Sequence, residues 1–468
     1  RFAPANRWGL FPSGAFAWNV KEEGFLKDVK AVSQLKLRLS AGMTGQQDGG
    51  GVGDYSYFPI YKITTGTNGF YPIMGNGTFY TPVEYNENLK WETTYSTNVG
   101  LDFAFFNNRI EFIVDWYYKN TKDLLLQMPL PGFLGSTGQG AASNPWANVG
   151  SIRNTGIEFT LNTVNIDKGG FLWRSNAVFS LNRNKVTALD TENSELYYNL
   201  SIGSDNTNVT KTVVGKPIGQ FWGYKVIGMF NKPEDFYYKD AQGNVKQVAL
   251  PEGETIGKNE AWLGDFIFAD LNGDGVITND DQTFIGNPEP KFTWGFGNTF
   301  SYKGFDLTVF FTGSYGNDVV NYNRRWTEIT GSTSNLSKDV LNYARVEMIN
   351  PDGPDDFRNY HVVNAGTTMP RLYTESYKNL NNRMSDNYVE DGSYIRLKTL
   401  SLGYNLGDRA LKKIRLKSLR VALVVDNAYC FTNYSGNDPD VSSNNALFTG
   451  FDRMSYPKAR TYSLNLNI

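Results

Sequence analysis

The sequence predicts an all-β chain: part of a transmembrane antiparallel β-barrel with long extracellular loops. Three observations predict it. First, from Phe292 to Tyr302 every even position except Asn298 is aromatic, and the odd positions Thr293, Gly295, Gly297, Thr299 and Ser301 are small or polar. A period of two is a strand with one greasy and one polar face. The pattern resumes at Phe305, Leu307, Val309 and Phe311, with Asp306, Thr308 and Thr312 between. Second, such alternation recurs about a dozen times, more than a soluble sheet needs and what a barrel in lipid with a wet interior requires. Third, the connections alternate between short turns and long loops, the sidedness of an outer-membrane barrel.

The strands follow in order. The first runs from Phe11 to Val20, and the second covers Ser33–Gly45, with Leu35, Leu37, Leu39, Ala41 and Met43 on one face. Leu89–Phe105 and Ile110–Thr121 are joined at Asn107-Asn108, a tight-turn signal. Asn154–Val164 turns at Lys168-Gly169-Gly170 into Phe171–Val186. Asn208–Val214 turns at Gly215–Gly219 into Gln220–Phe230. After the two strands of the opening pattern come Ser393–Leu406, Ser418–Phe431 and Ala459–Ile468. A phase change between Leu397 and Leu400 predicts a bulge. This gives roughly 13 strands. The connections 21–32 and 407–417 are expected to be helical or compact. Long loops are expected at 46–88, 122–153, 187–207, 231–289, 317–392 and 432–458. They share one end of the barrel if Lys211–Phe230 is a hairpin of the wall. Residues 1–10 are then the tail of another long loop.

Composition narrows the function. The chain has 468 residues, with 45 Lys plus Arg against 47 Asp plus Glu, so no basic excess points to nucleic acid. One cysteine, Cys430, and one histidine, His361, argue against an internal disulfide, zinc sites and histidine catalysis. No apolar run is long enough for a transmembrane helix. Barrel strands need none, because half of each faces inward, and the negative mean hydropathy is compatible with that. We find no carboxylate pair in an acid–base context, no phosphate-binding glycine loop and no nucleophile elbow, so no enzyme is predicted.

Several stretches resemble the C-terminal part of SusC/RagA-family TonB-dependent transporters of the Bacteroidetes outer membrane. They are Asn6–Ser13, Leu89–Thr94, Asn148–Asn154, Gly215–Gly219 through Gly223-Tyr224, Tyr302–Leu307, Glu390–Leu397, Ser435–Asp440 and Tyr456–Thr461, in order along the whole chain. The resemblance implies a barrel of about 22 strands with a plug in its lumen. Residues 1–468 would be its C-terminal part, without the N-terminal plug and the first strands. The start at Arg1, with no Met or signal peptide, is expected to reflect processing or a fragment. The end at Ile468 is expected to fall just short of the family's aromatic terminus. The resemblance further implies TonB-dependent active import of an oligomeric nutrient, glycan or peptide, across the outer membrane of a Gram-negative bacterium. Its partners would be a SusD-like surface lipoprotein over the long loops, the TonB complex through the plug, the N-terminal part of the same barrel, and the lipid membrane. The rival classes are a passive porin, and a soluble carbohydrate-binding β-protein or glycoside hydrolase.

One motif carries possible metal chemistry. Residues 270–281 place Asp270, Asn272, Asp274, the Val276 carbonyl and Asp281 at the spacing of a Ca²⁺ loop, with Gly275 at its turn. Asp281 stands where helix-flanked sensors carry Glu, which resembles the dockerin-like variant. The expectation is one structural Ca²⁺; the alternative is an Asx-rich turn without metal. Loop aromatics Tyr55, Tyr57, Trp146, Trp262, Tyr322 and Trp326 suit sugar or peptide contact, and equally loop packing. The Arg324-Arg325 pair reads as a solvated face, and Lys412-Lys413-Ile414-Arg415 is assigned no ligand. Tyr404 and Trp173 are expected in interface girdles.

Overall fold

The computed structural model describes residues 2–468 except 48–50, 66–70, 74–77, 84, 128–144, 190–194, 203–204, 329–334, 373–380, 442 and 444. Its frame is one open antiparallel sheet of 11 strands, which we call the wall. In chain order these are β1 (Ser13–Asn19), β2 (Val32–Gln46), β3 (Glu92–Phe105), β4 (Ile110–Lys122), β5 (Ser151–Lys168), β6 (Phe171–Ala188), β7 (Phe292–Tyr302), β8 (Phe305–Tyr315), β9 (Tyr394–Asn405), β10 (Arg420–Thr432) and β11 (Thr461–Asn467). Each pairs with its sequence neighbour, so the wall is a meander.

Register turns the alternation of single strands into faces. One row runs Leu35, Phe103, Phe112, Leu161, Ala177, Phe296, Phe311, Leu397, Tyr429 across β2 to β10. The row on the other side runs Arg38, Gly100, Asp115, Glu158, Ser180, Thr293, Ser314, Tyr394, Thr432. A slip of one residue in any pair would break both rows, so the pattern fixes register. The apolar face lies open: Phe16, Phe305, Leu402, Leu423 and Leu464 are all exposed. Among the described residues no packed layer covers it, and a face this large and apolar calls for lipid. The predicted bulge is present, as a register shift between Leu397 and Thr399 opposite β10.

The sequence reading placed 13 strands in the wall, and two of them belong elsewhere. β6 pairs directly with β7. Asp205–Val213 and Gln220–Gly223 instead form a four-stranded sheet with Glu195–Ile202 and Thr283–Gly286. Val226–Met229 pairs with Phe266–Phe268. The physical reason is burial: Val209 and Phe221 are fully enclosed by other loops, whereas a wall strand must leave its apolar side open. Because a pair of strands leaves, the parity of the ends survives. The short connections 20–31, 106–109, 169–170, 303–304 and 406–419 share one end, and 47–91, 123–150, 189–291, 316–393 and 433–460 share the other. The two-residue turns fit type I′ geometry, with positive φ at Gly169, Gly170, Lys303 and Gly304. The compact connections hold the turn Val20–Glu22 and the helix Asp408–Ile414.

Among the described residues, the clusters of buried hydrophobic side chains lie among the loops. Phe230, Phe236, Leu250, Trp262 and Leu263 of 189–291 pack with Ala344, Tyr360 and Val362 of 316–393. Leu200, Val209 and Phe221 meet Val320, Tyr322, Met384 and Tyr388, and Phe451 from 433–460. A further cluster joins Phe2 with Val52, Leu89 and Leu125, so the N-terminal residues do pack at the long-loop end. The loops on that end therefore form a cored body of their own.

Candidate functional site: the polar wall face and the loop body

The polar face carries fixed charge. Arg38 on β2 donates to Asp102 at 2.7 Å and reaches Asp115 at 2.9 Å. Gly100 sits between them: a Cβ there would come within 2.5 Å of the Asp115 carboxylate and 2.6 Å of the Arg38 guanidinium, so the ladder needs glycine at this point. Arg420 holds Asp306 at 2.6 Å across β8 to β10. Contacts of this kind fix charged groups on a face turned to water: Arg420 and Asp306 cancel, and Arg38 between two carboxylates leaves one negative charge.

Where wall meets loop body, a cavity of about 590 Å³ is lined by Arg183, Asn184, Glu289, Lys291, Asp318 and Asp391 among others. Asn182 Nδ2 and the Asn184 backbone N–H donate to Glu289 Oε1 at 2.9 and 3.1 Å. The Asn287 N–H donates to Asp318 Oδ2 at 2.8 Å. Partial burial pushes the carboxyl groups of Glu289 and Asp318 above their ordinary values, and neighbouring Asp391 adds to the rise at Asp318. These residues come from four separate segments and no local spacing links those segments, so sequence reasoning missed them. The chemistry these side chains offer is hydrogen bonding and charge.

The loop body is pinned by buried ion pairs. Asp265, fully enclosed, accepts from Arg371 Nε at 2.7 Å, from Asn381 Nδ2 at 2.8 Å and from the Trp262 N–H at 2.8 Å. Arg324 and Arg325 are not a solvated face. Arg324 pairs with Glu328 at 2.6 Å, and Arg325 is buried, donating to the Tyr322 hydroxyl and the Asn382 carbonyl. The cause is the fold around them: both helix and partners close over the charge. Three of the recognised sequence stretches converge here. Glu390 accepts from the Ser435 N–H and hydroxyl, both at 2.8 Å; Arg396 binds Asp438 at 2.6 Å; Lys458 pairs with Asp440.

Of the loop aromatics, Trp262 and Tyr322 are core residues and Trp146 packs beside Leu89 and Leu125. Tyr55 and Trp326 are exposed. Trp173 stacks on Phe300 at 5.6 Å and Tyr404 meets Phe305 at a tilt, at 4.5 Å, toward the short-turn end of the open apolar face.

The 270–281 loop is closed by its own backbone. Asp270 accepts from the N–H groups of Gly273 and Gly275, Asp274 from that of Val276, and Asp281 from those of Leu271 and Thr278, at 2.7–2.9 Å. Asn272 Oδ1 accepts from Asp274 N–H. All the oxygens are of the hard kind that Ca²⁺ takes. Among the described residues, though, no three Asp, Glu, His or Cys groups gather as a metal cluster.

Comparison with known proteins fits this architecture. The family described as "TonB dependent receptor-like, beta-barrel" matches residues 1–275, and the chain belongs to it. It is thus an outer-membrane β-barrel chain of the TonB-dependent receptor family. A TonB-dependent receptor of Formosa agariphila is 34% identical over all of this chain and 42% of its own length. The TonB-dependent receptor SusC of Bacteroides thetaiotaomicron is 31% identical over all of this chain and 41% of its own. The solved structure of the RagAB peptide transporter has the same fold, with a TM-score of 0.73 and 23% identity over all of this chain and 44% of that one. The chain therefore spans less than half the length of the relatives it matches.

Proposed function

We propose that residues 1–468 are the C-terminal part of the barrel of an active, TonB-dependent importer of an oligomeric nutrient, glycan or peptide. The observation that carries this is the pairing of a wet, charged wall face with a large cored loop body at one end only. A passive pore needs the first but not the second. In this reading solute passes along the polar face, and the loop body seats a SusD-like lipoprotein that closes the cavity from outside. Upstream parts of the same protein complete the barrel, supply the plug and take energy from the TonB complex. The family membership and the SusC and RagAB likenesses support it.

The test uses the full-length protein in its own host. Removing residues 336–372 should leave the barrel inserted and abolish growth on the substrate. Collapsing the proton-motive force should stop uptake by the intact protein. Uptake that continues at the same rate without that force would favour the porin and defeat the proposal.

The same reading includes one structural Ca²⁺ held by Asp270, Asn272, Asp274, the Val276 carbonyl and Asp281. The spacing and the donor chemistry support it. When bound, the ion would cross-link the two ends of the loop and take no part in transport. Calorimetric titration of Ca²⁺ into chelator-treated protein should show heat that Asp270→Ala removes. No heat above that of the variant would leave the Asx-turn network as the whole account of this loop.

A further inference from the structure

We propose that the turn between β9 and β10, with neighbouring Lys303, is a seat for the anionic headgroups of phospholipids at the short-turn end of the barrel. Residues 408–417 read Asp-Arg-Ala-Leu-Lys-Lys-Ile-Arg-Leu-Lys, with five cations against one carboxylate. Arg409, Lys412, Lys413, Arg415 and Lys417 are all exposed, and so is Lys303 in the adjacent turn. The turns are contiguous: the Asn405 N–H donates to the Gly304 carbonyl at 2.8 Å.

Two other cations at this end, Lys21 and Arg109, are held by backbone carbonyls. Lys21 donates to the carbonyls of Leu26, Lys27 and Val29 at 2.8–3.0 Å, which closes its own loop. Arg109 donates to the Val164 and Asn165 carbonyls at 3.1 Å. Among the described residues, the five cations of 409–417 have neither an ion pair nor a side-chain hydrogen bond. Five like charges crowded into one short connection repel each other unless an outside anion offsets them.

Position selects which anion. Leu411 is buried and anchors the helix Asp408–Ile414, while Ile414 is half exposed beside the cations. The strands that leave this turn carry Leu402 and Tyr404, and Val421 and Leu423, on the open apolar face. Tyr404 on Phe305, and Tyr302 against Phe171 at 6.4 Å, form an aromatic row next to the turns. Aromatic rows of that kind lie at headgroup level. Cations one step beyond them are at the depth of lipid phosphates, where a basic cluster is attracted to an anionic membrane surface.

The test is lipid retention by the full-length protein in detergent, read by native mass spectrometry after exposure to phosphatidylglycerol or phosphatidylcholine. The variant Lys412→Gln/Lys413→Gln/Arg415→Gln/Lys417→Gln should retain phosphatidylglycerol about tenfold less well and phosphatidylcholine unchanged. High salt should produce the same loss in the unmodified protein. Lys239→Gln/Lys246→Gln at the other end should change nothing. Heat-modified gel mobility confirms folding; if the fourfold variant does not fold, Lys412→Gln/Lys413→Gln should show a smaller loss in the same direction. Equal phosphatidylglycerol retention by variant and parent overturns the proposal. So does parallel loss of both lipids, or displacement of phosphatidylglycerol by inorganic phosphate at equal concentration, which would mark a site for free anions.

Discussion

The wall and the loop body come from one chain and use the same residue types with opposite sense. In the wall, most Phe and Leu, such as Phe305, Leu307 and Phe311, point outward, and Arg38, Asp102, Asp115 and Asp306 line the other face, where Phe310 is an exception. In the loop body, Phe230 and Phe236 stack at 4.0 Å inside a closed core, and the charges that enter it are paired. The difference teaches that a side chain's place is set by what surrounds the element. Lipid outside and water inside invert the usual arrangement. Water outside and no lumen restore it.

The largest effects should fall in the loop body. Phe236→Ala removes a fully buried ring and should cost about 3–5 kcal/mol of local stability. Hydrogen exchange should then rise across 230–263 and 344–362, while β1–β11 keep their protection. Equal loosening of the wall would show that the two regions are a single cooperative unit.

Arg371→Ala leaves the Asp265 carboxylate enclosed with only amide donors. Breaking a buried pair in this way costs about 3–5 kcal/mol, partly relieved here by Asn381 and the Trp262 N–H. Limited proteolysis of the loop body should accelerate in the variant. A cleavage rate unchanged from the parent would mean that the pair does not pin these loops.

In the wall, a smaller penalty should depend on face. Leu400→Arg, on the open apolar side opposite Val309 near the middle of β8, should lower barrel stability by about 2–4 kcal/mol. Ser401→Arg, one residue away and on the polar side, should be tolerated. Urea unfolding in liposomes measures both; equal penalties would break the assignment of faces.

The smallest effect concerns Asp318, at the junction of the two regions. Burial raises its carboxyl group above the ordinary value, so the folded state binds its proton more readily than the unfolded chain. Its unfavourable contribution is therefore absent at low pH and grows as pH rises from the unfolded value through the raised folded one. Asp318→Asn should flatten that part of the stability–pH curve. A curve identical to the parent's would contradict the desolvation argument.

Legibility followed the same division. The wall could be read because one period of two decides both strand and face, residue by residue, down to the bulge after Leu397. Short turns were visible as Asn107-Asn108 and Gly169-Gly170. The loop body was not readable, because its contacts join residues far apart in the chain, such as Asp265 with Arg371 and Thr210 with the Leu447 carbonyl. The strands around 208–230 alternate well enough to pass for wall, and only burial by the other loops tells them apart. The cavity at the junction was hidden for the same reason: Glu289 and Asp318 are ordinary loop residues until the fold brings them together. The 270–281 motif was plain in the sequence, and its backbone closure was not.

The central claim is that alternate wall residues face lipid and water. It is tested most directly by spin-labelling positions 305–312 in turn in the full-length protein, with Cys430 replaced, and measuring relaxation by oxygen and by a water-soluble nickel chelate in liposomes. The account predicts that labels at Phe305, Leu307, Val309 and Phe311 meet oxygen, while those at Asp306, Thr308 and Thr312 meet the chelate. A profile without a period of two, or the reverse phase, would contradict it.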